Sequence, residues 1–198
     1  MNIDARKAVE ALEQNIKKRF TKEEVNKATA RAMNRAIAKS KTLMSRAIRE
    51  KYNMKMADLN GKLITGKASP GKLQAELKGS TRTLTIGRFV SNVESWRAGS
   101  DTNFEAEILK GDSKMLPRGL FVNPKNGLIM GKGEYSGGRF VKNKYGKLQA
   151  IKTVSPYASA INEEIQSEQG PEIEEYYGNR LLHELRYLAS KIGVPNDF

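Results

Sequence analysis

The sequence has no cysteine and a single histidine in 198 residues. The first absence excludes disulfides and thiolate chemistry and fits a reducing compartment. The second excludes metal sites built on several imidazoles and leaves little basis for histidine catalysis. Aromatic residues are sparse at 7%, hydrophobic residues reach 38%, and the mean hydropathy is −0.60. A chain this polar builds a thin core, with much of its surface wet or buried against partners. No apolar run approaches the roughly 20 residues that span a bilayer, so no membrane partner is expected. The stretch from Met1 to Lys7 lacks the apolar run of a signal peptide, so synthesis and assembly in the cytoplasm are expected.

What is present in abundance is positive charge. There are 35 Lys and Arg against 22 Asp and Glu, a net charge of +13. Residues 1–100 hold 22 basic and 9 acidic side chains, residues 101–154 hold 10 and 5, and residues 155–198 hold 3 and 8. Net charge and its distribution bear on partners and solubility rather than on fold. A basic body with an acidic rear fits two situations: contact with a polyanion, and head-to-tail stacking of copies.

Helical spacing of Ala8, Val9, Leu12 and Ile16 predicts a first helix over 4–20. Thr21 and Glu24 form a capping box that opens the longest helix, about Lys22 to Lys51. Val25, Ala28, Ala32, Ala36, Ser40, Met44, Ala47 and Ile48 make a narrow stripe of mostly small residues along it. Small residues let a second backbone approach closely. Arg31, Arg35, Lys39, Arg46 and Arg49 occupy the remaining surface.

Beyond Tyr52 the period changes. A short helical turn is expected over 54–59. Short alternating runs at 63–65, 73–77, 83–86, 104–109, 119–122, 127–130, 139–142 and 148–152 predict strands, with glycine and proline between them. Asn143 to Gly146 reads as a hairpin turn joining the last two. Residues 92–103, with Trp96, and the glycine-rich stretch 131–138 read as mobile loops. Ser155-Pro156 starts a helix, with Ser as N-cap and Pro at the first position, running to about Glu168 and broken at Gly170-Pro171. Ile173, Tyr177, Leu181, Leu185, Leu188 and Ile192 form the apolar face of a final helix. The order predicts an α+β fold: an antiparallel sheet flanked by a long N-terminal helix and C-terminal helices. Three regions of one domain are expected: helical 1–53, sheet 54–155 with long loops, and helical 156–198.

Catalytic chemistry finds no foothold. The glycine-rich stretch 131–138 lacks the Gly-Lys-Ser/Thr ending and strand–loop–helix setting of a phosphate loop. The pairs Glu23/Glu24, Glu163/Glu164 and Glu174/Glu175 are adjacent on helices and point in different directions, so they read as solvated surface. His183 lies one residue off an apolar stripe and reads as a packed or capping residue. No enzyme and no cofactor are expected. The basic helix is the serious candidate site. Arg31, Arg35, Lys39, Arg46 and Arg49 would contact DNA phosphates or an acidic neighbouring subunit, and charge reversal there is expected to leave folding intact. No spacing for base-specific readout accompanies them, so DNA contact would be non-specific.

The stretch from Ala28 to Ser40, with Asn34-Arg35 at its centre, then Arg46-Ala47-Ile48-Arg49 and Tyr52-Asn53-Met54, resembles the N-terminal helix of minor tail protein Z of tailed phages. Gly138-Arg139-Phe140-Val141-Lys142 and the run Leu148 to Ser155 resemble that family's Gly-x-Phe-x-Arg strand, following strand and lead into the C-terminal helix. Gln149-Ala150 stands where the family usually has Pro, and Val154 where Gly is common. The resemblance spans roughly 22–192. It implies a fold like that of tail-terminator and neck proteins and a structural virion protein completing the head-proximal end of the tail, so that the tail joins a filled head. The implied partners are other copies in a ring, commonly sixfold, the tail tube, the head–tail connector and viral double-stranded DNA. The competing reading from composition is a non-specific cytoplasmic DNA-binding protein.

Overall fold

A computed structural model describes residues 20–90, 105–136 and 139–191. The expected helix over 4–20, apart from Phe20, and the Trp96 segment lie outside these residues. The described elements, in order, are α1 (Lys22–Lys51), α2 (Met56–Leu59), β1 (Leu63–Gly66), β2 (Glu76–Gly79), a 3-10 turn at Ile86–Arg88, β3 (Glu105–Leu109), β4 (Asp112–Met115), β5 (Phe121–Val122), β6 (Ile129–Ser136), β7 (Arg139–Lys142), β8 (Leu148–Ala150), α3 (Pro156–Ala160) and α4 (Glu163–Lys191). The chain is α+β. Its strands fall into three small sheets: β1–β2, β3–β4 and a four-stranded group centred on β6.

The chain forms two compact units, each assembled from separated stretches. The described part of the first comprises residues 20–42, 64–77 and 167–191. The second comprises Leu43–Leu63 and the described residues of Lys78–Gln166.

In the first unit, α1 starts as its capping box dictates. Thr21 N–H donates to Glu24 Oε2 at 2.9 Å, and Glu24 N–H donates to Thr21 Oγ1 at 3.3 Å. Accepting from Thr21 holds the Glu24 carboxyl below its ordinary pKa. The small-residue stripe is the buried face, with Ala28, Ala32, Ala36 and Ser40 all buried. The segment 64–77 is tied to α1 by two asparagines. Asn26 donates to Pro70 O at 3.1 Å, and Asn34 pairs with both backbone groups of Ala68. From α4 this unit buries Leu185 and Ala189, with Ile173, Tyr177, Leu181 and Leu188 half-buried. The expected apolar face is therefore right within the described residues, but His183 is exposed rather than packed.

In the second unit, the end of α1 contributes Met44, Ala47 and Ile48 to the core. Its last turn is fastened to β3: Asn53 N–H donates to Ile108 O, and Lys110 N–H to Lys51 O. Leu59, Leu63, Leu84, Ile86, Phe89, Ile129, Ile151 and Ile165 complete the buried set. Asp58 serves two purposes. It accepts from Lys55 N–H at the start of α2, and it is ion-paired with Arg88. The run expected as a strand over 83–86 is held against 151–154 by three backbone hydrogen bonds, Leu84 N–H to Val154 O, Thr153 N–H to Leu84 O and Ile86 N–H to Ile151 O, but amounts to a single bridge, Thr85 to Lys152, before the 3-10 turn.

Four expectations need correction. The glycine-rich stretch is not a loop through its length, because β6 runs across it to Ser136. Its glycines serve close packing. A Cβ on Gly131 would sit 2.6 Å from Leu120 Cδ2, and one on Gly133 2.5 Å from the Phe140 ring. Second, the turn at 143–146 does not join a hairpin. β7 and β8 each pair with β6, through Gly133–Ser136 and Met130–Lys132 respectively. Third, the helix begun by Ser155 is short. Ser155 Oγ accepts from Ala158 N–H at 3.1 Å, as a cap should, but α3 ends at Ala160. Asn162 then starts α4, its backbone and side-chain oxygens accepting from Gln166 and Ile165. Fourth, α4 continues through Pro171. The fixed φ of proline is itself helical, and its roughly 3 kcal/mol cost in a helix interior falls on one turn of a 29-residue helix. Burial of Ile165, Leu185 and Ala189 on either side outweighs it.

Candidate functional site

The five basic residues singled out on α1 meet different fates. In the first unit, Arg31, Arg35 and Lys39 follow one another at four-residue intervals and so share a helix face. Each finds a carboxylate of α4. Arg31 Nε donates to Glu184 Oε2 at 2.8 Å, Arg35 Nε lies 3.8 Å from Glu184 Oε1, and Lys39 Nζ lies 3.3 Å from Glu172 Oε1. Lys39 Nζ also stands 6.0 Å from the centre of the Tyr176 ring. Arg180, one turn before Glu184 on α4, donates to Glu184 Oε1 at 2.8 Å.

Glu184 is thus the centre of a cluster with three guanidinium groups. Its side chain is only 6% exposed, whereas those of Arg31 and Arg35 are 46% and 58% exposed. Burial alone would push the carboxyl pKa up. The hydrogen bonds and charges of Arg31 and Arg180 outweigh that and hold it below the ordinary range. Nearby Tyr177 has no such compensation, and burial pushes its phenol up. The cluster leaves a net positive charge, with the outer faces of Arg31 and Arg35 open to solvent. Carboxylates of the same chain, Glu184 and Glu172, thus stand beside Arg31, Arg35 and Lys39.

In the second unit, Arg46 pairs along the helix with Glu50 at 2.8 Å, and Arg49 Nε donates to Ser45 O at 3.3 Å. Lys51, not singled out from sequence, donates to Asn162 Oδ1 at 3.1 Å and is ion-paired with Glu164. The larger basic surface of this unit lies on the β5–β8 region. Residues 118–152 contain eight Lys and Arg against one acidic residue, Glu134. Lys132, Lys142, Lys144 and Lys147 are exposed there, and Tyr145 is 84% exposed with Lys144 Nζ 4.7 Å from its ring centre.

Glu184 is the functional-looking residue that the sequence reading missed. A signal was present: it lies three residues after Leu181 and four before Leu188, on the apolar face of α4. A carboxylate on a buried face calls for a cationic partner. Among the described residues no group of three or more His, Asp or Glu could hold a metal ion. No helix among them is long and apolar enough to cross a membrane.

The family profile described as prophage minor tail protein Z (GPZ) matches residues 5–191. That is nearly the whole chain, and the chain belongs to this family of phage tail structural proteins. No curated protein and no solved structure matches it.

Proposed function

We propose that this member of the prophage minor tail protein Z family completes the head-proximal end of the phage tail, working as a ring of identical subunits that enables head–tail joining. The carrying observation is the family match along residues 5–191. A polar chain with exposed apolar side chains on its sheets is consistent with a subunit whose neighbours cover part of it. In this reading the tail tube and the head–tail connector contact opposite ends of the ring, and the role is structural, in the virion, with no bond made or broken.

A non-specific DNA-binding protein is less well supported. Arg31, Arg35 and Lys39 already have carboxylates beside them, which lowers the charge they offer to phosphates. Viral DNA threading the ring remains part of the proposal as a passive cargo.

The test is deletion of the gene from an inducible prophage. Filled heads and finished-length tails should accumulate unjoined, and complementation with a tagged copy should place the tag at the head-proximal tail end in electron micrographs. Normal particles from the deletion, or a tag elsewhere on the tail, would overturn this position.

A further inference from the structure

We infer that the outward face of the β5–β6–β8 sheet, with its lysine rim, is the docking surface for the acidic segment 163–175 of a second copy of this chain. The inference rests on the ring reading above and supplies the contact that would build it.

The sheet has two unlike faces. Along β6, Ile129, Gly131 and Gly133 are buried while Lys132 and Glu134 are exposed, the alternation of a half-buried strand. The inward face is the one on which Leu120 and the Phe140 ring close over Gly131 and Gly133. The outward face is read from the cross-strand register. Met130 lies opposite Phe121 on one side and Ala150 on the other, Lys132 lies opposite Leu148, and Glu134 lies opposite Val141. Directly opposed residues share a face. Phe121, Val141 and Leu148 are 37%, 48% and 50% exposed. Water is a poor neighbour for three such side chains in adjacent rows, and a protein partner suits them better than a phosphate backbone does.

Charge identifies the partner. Lys132 lies on this face opposite Leu148, and exposed Lys144, Tyr145 and Lys147 border the sheet in the turn between β7 and β8. The complementary segment is in this same sequence. Residues 163–175 hold six glutamates and no basic residue. Glu164 and Glu172 are engaged within the chain, by Lys51 and Lys39. Glu163, Glu168, Glu174 and Glu175 are exposed on α4, and Ile161 and Tyr176 at the ends of the segment are 48% and 36% exposed. Each side therefore offers apolar side chains beside charge of one sign, and the signs are opposite. A contact between two different patches of one chain is heterologous. Repeated head to tail, it gives a ring if the rotation closes. Complementary rim charge sets register and speeds encounter, while the apolar centre carries most of the affinity.

The experiment uses the full-length protein and light scattering after size exclusion, at low and at high salt. One variant carries Lys132→Glu, Lys144→Glu and Lys147→Glu, a second carries Glu168→Lys, Glu174→Lys and Glu175→Lys, and a third combines both. Leu148→Asp probes the apolar centre without reversing the rim. Each variant's melting curve is compared with that of wild type to confirm folding. Each single set, and Leu148→Asp, should raise the concentration for half-assembly at least about tenfold, a change of 1.4 kcal/mol. The combined set should restore most of the loss. Crosslinks between isotopically labelled and unlabelled chains should join the β7–β8 region of one to 163–176 of the other. A wild-type protein that is monomeric in all conditions overturns the ring reading and this contact with it. An oligomeric wild type whose lysine variant assembles normally overturns this contact alone. If that variant assembles normally and instead loses salt-sensitive binding to a DNA duplex, the lysine rim is a phosphate surface.

Discussion

Asn34 and Ala68 exchange two hydrogen bonds, although they are 34 residues apart. The Asn34 amide donates to Ala68 O at 3.0 Å, and Ala68 N–H donates to Asn34 Oδ1 at 2.8 Å. A side chain of α1 thereby satisfies both backbone groups of a residue in the irregular segment 64–77. Ala68 is only 7% exposed, so water is poorly placed to replace a lost partner.

Asn34→Leu removes both bonds, leaves the buried N–H and C=O of Ala68 without partners, and should cost about 2 kcal/mol in urea-induced unfolding. Asn34→Asp keeps the acceptor for Ala68 N–H but, when ionised, sets a second oxygen against Ala68 O, so its loss should shrink as the carboxyl is protonated and becomes a donor at low pH, unlike that of Asn34→Leu. The same pH dependence in the two variants would show that bulk, not hydrogen bonding, decides this position.

Glu184 makes stability depend on acid. Its folded-state pKa is depressed below the ordinary 4.5 by Arg31 and Arg180 against the opposing push of burial. The unfolded chain therefore binds the proton more tightly, and the stabilisation is present above the ordinary value and lost as pH falls below it through the folded value. Glu184→Gln should lower stability at pH 7 by about 1–2 kcal/mol, less than for a fully enclosed pair because the arginines are partly solvated. It should also flatten the fall in melting temperature below about pH 4.5, the ordinary carboxyl value. An unchanged acid slope would place the titrating group elsewhere.

Charge reversal separates Arg31 from Arg46. Arg46 and its helix neighbour Glu50 are 73% and 62% exposed, so Arg46→Glu should change stability by no more than about 0.5 kcal/mol. Arg31→Glu sets a second carboxylate against the buried one of Glu184 and should cost about 2 kcal/mol or more. Arg31→Glu with Glu184→Arg should recover part of that loss. Chemical denaturation of the four proteins decides the matter; equal behaviour of the two single variants would mean that the Glu184 contact is energetically idle. The expectation that reversal along α1 spares folding is thus put to the test at Arg46, whose exposure favours it, and at Arg31, whose buried partner Glu184 opposes it.

Gly133→Ala should destabilise by about 1–3 kcal/mol, because the new methyl would overlap the backbone oxygen of Val141 as well as sit 2.5 Å from the Phe140 ring. Shrinking the ring in Gly133→Ala/Phe140→Leu should return only a minor part of the loss, since the overlap with backbone remains, which a thermal melt of both proteins would reveal. A Gly133→Ala protein as stable as wild type would mean that β6 and β7 shift apart at little cost.

The features legible in the sequence are those encoded by a few neighbouring residues. Thr21 and Glu24 cap α1 because their side chains reach each other's backbone N–H across three residues. The stripe from Ala28 to Ile48 is the buried face because helical period alone gathers small residues there. Ser155 caps its helix, and the alternation at 105–109 is a strand, for equally local reasons. The basic helix was legible as basic, but not what it meets. Glu184 lies 153 residues from Arg31, and no local pattern links them. Only packing of α4 made one carboxylate the shared partner of three arginines. Only packing, too, turned Gly131 and Gly133 into strand residues, since Leu120, the Val141 backbone oxygen and the Phe140 ring approach too closely for a side chain there. At Pro171 burial of the flanking apolar side chains overrode a breaker that costs about 3 kcal/mol by itself. Caps and periods are set by bonds within a turn or two of chain. Which charges are neutralised and which glycines are held are set by contacts that exist only once distant segments have come together.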